Sequence, residues 1–315
     1  MITSGELSIV VQGPVSGTKN TPNEFTRVCL NTARKFFPGA EIIFSTWKGE
    51  DTDGLRFDKI VFSKSPRLEK CLYEDMTEHF VSTNHLLISS QKGLDAATRP
   101  YVIKMRSDMA FKSGKCLELM GKYNEYDEDN KEWRVFKQRI LTLPQLNPER
   151  VNKWFPYSIC DWIQAGLRED VVELYNVPLV DIDCIPRREG MKYIYADDYL
   201  GAEQYLFHSI LERHGLPVEL YSRTEGEGDI LKKNAVAIAM NMVLLSARKM
   251  GVRSLKYPGR MYAIEPALSL GYYTFGEWKE LYNHYGGGHL KYTKNIIEQG
   301  VYKAVYSLRR RSKGQ

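Results

Sequence analysis

Short apolar runs closed by polar turns alternate with helix-period segments through the first third of the chain. Leu7-Ser-Ile-Val-Val11 ends at Gln12-Gly13-Pro14, which predicts a buried strand and a turn. Thr21-Pro22-Asn23-Glu24 carries a helix-start signature, with Thr21 as cap, Pro22 at the first helical position and Glu24 closing a capping box. Phe25, Val28, Cys29, Thr32 and Phe36 then recur at helical spacing until Pro38-Gly39 stops the helix. Residues 41–46 predict a second strand closing on Trp47, and Lys59-Ile-Val-Phe62 predicts a third. A helix follows over Thr83 to Ala97, and Tyr101 opens a fourth strand, Y-V-I-K-M-R-S-D-M-A-F.

Strands alternating with helices in this way predict a mainly parallel sheet with helices on its faces. The second half is more helical. Residues 133–143 predict one or two strands ending at Pro144, residues 201–214 a helix, and residues 229–250 a long helix whose apolar run Ala235 to Leu245 is interrupted only by Asn241. Thr274-Phe-Gly-Glu277 is a further capping box, leading into a helix over 278–283. There is no internal repeat, and no linker divides the chain.

The polar residues at the strand ends carry the chemistry. In an open parallel sheet the carboxyl ends of the strands line one crevice. Gln12 and Gly13, Thr46 and Trp47, and Lys104, Arg106, Ser107 and Asp108 would face it together. Charged residues beside a core strand need partners, so Arg106 and Asp108 either face a ligand or pair with each other. Asp108 suits Mg²⁺ or Mn²⁺ held against a diphosphate, Lys104 and Arg106 suit phosphate, and Trp47 either stacks on a base or belongs to the core.

Composition removes several classes. Of 315 residues, 43% are apolar, enough for a sizeable core. The net charge of +5 is matched by the tail alone, since residues 301–315 hold Lys303, Arg309, Arg310, Arg311 and Lys313 without an acid. The near-neutral body argues against nucleic acid as a partner. The five cysteines include no C-x-x-C pair, which predicts reduced thiols in a cytoplasmic protein. The amino terminus lacks a signal-peptide pattern, and no apolar run is long enough to span a bilayer. G-x-G-x-x-G, P-loop, G-x-S-x-G and H-E-x-x-H motifs are all missing.

V-V-Q-G-P-V (10–15), A-E-I-I-F-S-T-W-K-G (40–49), K-G-L-D-A-A (92–97) and Y-V-I-K-M-R-S-D-M (101–109), in this order and spacing, resemble the WavE-type lipopolysaccharide synthesis family. Weaker echoes lie at Cys160-Asp161-Trp162 and Glu203-Gln204-Tyr205-Leu206. The resemblance implies a GT-A-like glycosyltransferase acting on bacterial surface glycans (lipopolysaccharide core, O-antigen or capsule) with a nucleotide-sugar donor, UDP-linked by expectation. It implies one domain over 1–315, with a nucleotide-binding half (1–111), an acceptor-binding helical half (112–300) and the basic tail (301–315). In that fold a D-x-D motif at the end of the fourth strand binds metal and diphosphate. Here Asp108 is the second acid of the motif and Arg106 replaces the first, which leaves metal dependence open.

The resemblance also calls for a carboxylate well downstream as general base. Asp197, Asp198 and Glu203 fall in the right interval, with Glu203 the first choice and Asp161, beside Trp162, the second. His284 and His289 flank Gly286-Gly287-Gly288, a candidate loop for closing over donor phosphates. The acceptor would be a glycan or lipid-linked glycan. The basic tail would touch the inner face of the cytoplasmic membrane, at about 1 kcal/mol per basic residue near anionic lipid. Two rival readings share these features: a nucleotidyl- or sugar-phosphate transferase, and a non-catalytic glycan-binding scaffold.

Overall fold

Strand β1 (Leu7–Gln12) is buried along its whole length, as expected of a strand covered on both faces. The computed structural model describes residues 2–73, 76–145, 155–187, 193–220, 222–224, 228–257 and 272–291. β1 pairs in parallel with β2 (Glu41–Trp47), and β2 pairs in parallel with β3 (Lys59–Ser63). Helix α1 (Glu24–Phe36) connects the first two strands. After β3, a hairpin of β4 (Glu69–Leu72) and β5 (Glu78–Val81) leaves the main sheet, and α2 (Thr83–Asp95) leads into β6 (Tyr101–Arg106) on the other side of β1. The short strand β7 (Met109–Phe111) follows at once.

The second half completes the sheet. It supplies β8 (Ile140–Thr142), β9 (Ile163–Leu167), α3 (Arg168–Leu174), β10 (Ile194–Tyr195), α4 (Ala202–Arg213) and α5 (Asp229–Asn241), then β11 (Met242–Leu244), α6 (Ala247–Met250), β12 (Val252–Ser254) and α7 (Phe275–Tyr285). The seven-stranded order is β11-β8-β9-β6-β1-β2-β3, with only β9 antiparallel to its neighbours. The result is a Rossmann-like α/β fold with helices against a mostly parallel sheet.

Close helix–sheet contact depends on small residues. A Cβ on Gly93 of α2 would lie 2.5 Å from Val10 Cγ1 and 2.9 Å from Ser45 Cβ, so α2 rests flush on β1 and β2. There Ser45 Oγ donates to the Ser89 carbonyl at 2.7 Å. α1 likewise buries Thr26, Cys29, Leu30 and Ala33, a face rotated from the expected set of Phe25, Val28, Cys29, Thr32 and Phe36. It also begins at Glu24, because Thr18 and Thr21 exchange backbone hydrogen bonds in a turn that precedes it.

The long helix expected over 229–250 is broken. The Asn241 amide donates to the carbonyls of Trp133 and Ala237 and its oxygen accepts from Val135 N, so the chain leaves the helix there and pairs with β8 as β11. Residues 133–143 supply one three-residue strand after a 3₁₀ turn. The helix near 278 forms as α7, and both hydrogen bonds of the Thr274–Glu277 capping box are present.

One hydrophobic core joins both halves, from Leu7 and Phe44 to Phe207 and Trp278; a satellite of Cys71, Val81, Ile182, Ile185 and Ile194 lies under the small β10-β4-β5 sheet. Buried Arg139 ties the second half together. Its guanidinium donates to the carbonyls of Tyr123, Glu125, Ala239 and Gly286 and lies over the rings of Tyr126 and Tyr282. The glycines at 286–288 serve this packing: a Cβ on Gly288 would fall 2.1 Å from the Tyr282 ring. No helix among the described residues is long and apolar enough to cross a membrane. The basic tail at 301–315 lies outside the described residues.

Candidate active site

Parallel pairing brings the ends of β1, β2, β3 and β6 to one edge, and reversed β9 enters at that same edge. Gln12 is in register with Ser45 on one side and Arg106 on the other, and Arg106 N donates to Trp162 O at 3.0 Å. Trp47, Gln12, Arg106 and Asp161–Trp162 therefore follow one another across the carboxyl edge of the sheet. The opposite edge is tied off by Glu41, which accepts from Ser8 Oγ and from Thr98 N and Oγ1 and pairs with Lys59. Burial alone would raise its pKa, but these partners hold it at about 2.

Arg106 and Asp108 form a two-pronged pair around the turn after β6. Nε donates to Oδ1 at 3.0 Å and Nη2 to Oδ2 at 2.6 Å. The guanidinium lies 4.9 Å from the Trp162 ring centre, so it is held flat. Asp108 is 5% exposed. Burial would lower the Arg106 pKa, but the charges of Asp108 and Asp161 outweigh it and raise it. Asp108 was expected to hold a divalent ion. Both its oxygens are instead taken by Arg106, and among the described residues no three His, Cys, Asp or Glu gather to hold a metal. In this structure the Arg106 guanidinium occupies the place beside Asp108 where an ion against a diphosphate was expected.

Gly13 and Ser107 brace the edge. Ser107 N donates to Gln12 O, its Oγ donates to Pro14 O at 2.7 Å, and Gly13 turns away at φ +115°. Gln12 Oε1 accepts from Ser89 Oγ at 2.7 Å. Thr46 Oγ1 is buried without a hydrogen bond. Trp47 is 8% exposed, its ring edge-on to His85 at 5.1 Å, and His85 bonds Ser65. Trp47 is thus mostly core.

Lys104 is sealed: at 0% exposure its Nζ donates to the Asp161 carbonyl and lies 5.1 Å from the centre of the Tyr175 ring. Burial pushes its pKa down to about 7. It cannot touch a phosphate; it acts on the site through Asp161.

The two candidate bases lie at this edge. Asp161 and Glu203 are half-buried, and among the described residues neither carboxylate pairs with a cation or accepts a hydrogen bond from another residue. Asp161 Oδ1 is sealed without any partner. Burial, then the charge of Asp161, raises the Glu203 pKa to about 7 against the opposing pull of its own backbone N–H, Arg106 and Arg223. Main-chain contact fixes the helix end that carries it, since Ile159 N donates to Glu203 O. Arg223, which no motif signals, approaches Glu203 over Gly201, where a Cβ would sit 3.1 Å from its Nη2 and 4.0 Å from Glu203 Oε2. The edge therefore gathers unengaged acids, a flat guanidinium and apolar rings, an arrangement suited to moving a proton beside a charged leaving group.

Comparison with curated proteins finds no match. Matched over residues 7–308 by the family profile described as WavE lipopolysaccharide synthesis, the chain belongs to that family, and its role lies in lipopolysaccharide synthesis.

Proposed function

We propose that the protein is a glycosyltransferase that moves a sugar from a nucleotide-sugar donor, UDP-linked, to a hydroxyl of a growing lipopolysaccharide glycan. One observation carries the reading: Asp161 and Glu203, both without partners, lie beside the Arg106 fork at the sheet edge where parallel α/β folds bind ligands. A sealed carboxylate oxygen such as Asp161 Oδ1 is normally engaged by a donor, and the unengaged pair is poised for substrate.

In the reaction the acceptor oxygen attacks the anomeric carbon, and the bond from that carbon to the donor diphosphate oxygen breaks. Glu203 takes the acceptor proton; a base with a pKa near the working pH suits that transfer, worth about 10²–10⁴-fold. Asp161 raises the basicity of Glu203 by its charge. The departing diphosphate carries the developing negative charge, which the Arg106 guanidinium meets. Asp108 and Trp162 hold that guanidinium in place. Gln12 and Trp47 contact the nucleoside. The acceptor is lipid-linked, met at the inner membrane face with help from the basic tail.

The test is a panel of UDP-, GDP- and CMP-sugars assayed for nucleotide release with and without a truncated lipopolysaccharide acceptor. Acceptor-dependent release from one donor, lost in Glu203→Gln, is the expected result. Release that ignores the acceptor would point to a different transferase. A protein whose melting temperature responds to none of the nucleotides would overturn the reading.

A further inference from the structure

Arg223 makes no ion pair among the described residues, although its charge acts on Glu203. Nη1 donates to the Ala196 carbonyl, and the guanidinium faces the rings of Phe155 at 4.9 Å and Tyr199 at 6.0 Å. Nε is sealed from solvent without a hydrogen bond, and no carboxylate comes within ion-pair distance among the described residues. A half-buried cation held only by a carbonyl and aromatic faces is costly unless something anionic completes it.

The space for that completion lies over Gly201. A Cβ built there would sit 3.1 Å from Arg223 Nη2 and 4.0 Å from Glu203 Oε2, so the bare glycine keeps open the ground where the two side chains meet. The backbone does not demand glycine at this position, because φ −62° and ψ 162° suit any residue. Gly201 is also the N-cap of the 12-residue helix α4 and offers no side-chain cap, which leaves the helix end favourable to negative charge. Gln204 Oε1, in the first turn of α4, is likewise buried without a partner, while its amide nitrogen donates to the Pro156 and Arg223 carbonyls and fixes the Arg223 backbone.

We infer that Arg223, with the open ground over Gly201, is an anion subsite on the acceptor side of Glu203, selecting an acceptor sugar that bears a phosphate or carboxylate. This rests on the reading of Glu203 as the acceptor-side base. The position separates it from the donor: Arg223 neighbours residues 155, 196, 199 and 201, whereas the donor-facing groups come from the ends of β1, β2 and β6. An acid-bearing acceptor would otherwise be repelled by Asp161 and Glu203. Arg223 supplies the compensating charge at the place where the acceptor hydroxyl must come to rest.

The experiment measures binding of a sugar phosphate, a hexuronate and a neutral hexose to the whole protein by ligand-observed NMR, with UDP binding measured in parallel. Wild type should bind one or both acidic sugars and not the neutral one, and the phosphate and carboxylate arms identify which group is read. Arg223→Gln should weaken that binding about tenfold or more, the scale of a charge-assisted hydrogen bond. Gly201→Ala, which fills the space without backbone strain, should also weaken it. Both variants should keep wild-type UDP affinity and melting temperature. Equal binding of acidic and neutral sugars, an unaffected Arg223→Gln, or loss of UDP in its place would overturn the proposal. Acidic-sugar binding without any sugar transfer would leave the subsite standing and sink the transferase reading.

Discussion

Replacing Lys104 with methionine separates the cost of a buried ammonium from its structural service. In the folded chain Lys104 faces Asp161 and Cys160 from the segment before β9, Arg106 and Asp108 from its own strand end, and the Tyr175 ring beyond α3. Burial dominates these and takes its pKa from 10.5 to about 7. At about 1.4 kcal/mol per pH unit, that fall corresponds to about 5 kcal/mol of penalty on the charged form. Because the unfolded chain binds this proton more tightly, stability rises with pH from about 7 toward the unfolded pKa and is flat below. Between about pH 7 and about pH 10 the gain is about 3–4 kcal/mol. Lys104→Met removes that slope and leaves the Asp161 carbonyl without its donor, a pH-independent cost of about 1–3 kcal/mol. Urea unfolding followed by tryptophan fluorescence across this range should therefore show a variant about 0.5–2.5 kcal/mol more stable than wild type at pH 7 and about 1–3 kcal/mol weaker in alkali, the two profiles crossing between. Parallel wild-type and variant profiles, differing by a constant, would refute the reasoning.

Three further outcomes follow from the site. If Glu203 is the base, kcat/KM should rise with pH through a midpoint near 7 and then level; Asp161→Asn removes the like charge and should move that midpoint to lower pH, whereas an unmoved midpoint would separate the two acids. Arg106→Lys keeps the charge but loses the flat two-pronged fork, so donor KM should rise at least about tenfold, with turnover in both proteins indifferent to EDTA; activity that vanishes with EDTA would return Asp108 to a metal. Arg139→Met leaves four carbonyls without their donor and should cost at least about 3 kcal/mol in urea unfolding; a neutral change would mean that water replaces the guanidinium.

The strands of the first 111 residues were legible because buried parallel strands are written as apolar runs, and their ends as polar residues. The hairpin of β4 and β5 was not, since its burial comes from Ile182, Ile185 and Ile194, more than a hundred residues away. Periodicity misplaced the buried face of α1 because flush packing on a sheet favours small residues such as Cys29 and Ala33 over Phe25 and Phe36. The run from Ala235 to Leu245 is apolar apart from Asn241, and only the partners of that residue reveal that helix gives way to strand there. At the site, Arg106, Asp108, Asp161 and Glu203 could be nominated from strand ends and resemblance. The burial of Lys104 could not, because the carbonyl that receives it is 57 positions away. Arg223 carries no local signal at all.

The charges of the site explain why an arginine can stand where the related motif has an acid. Lys104 and Arg106 lie near Asp108 and Asp161, and both Arg106 and Arg223 act on Glu203. A carboxylate in place of Arg106 would add a fourth acid and remove a cation, and without a divalent ion the cluster would repel any diphosphate. With Arg106 present, Asp108 is neutralised internally and the guanidinium still offers Nη1, which bonds nothing else among the described residues. Lys104 and Glu203, both with pKa values near 7, keep the remainder close to balance by holding or releasing a proton. Arrival of a dianionic donor would then shift both toward their protonated forms, and departure of the nucleotide diphosphate would release them. Proton uptake on UDP binding, measured by calorimetry in buffers of different ionisation enthalpy, is the expected signature; binding with no proton change near pH 7 would show that Arg106 alone meets the phosphates.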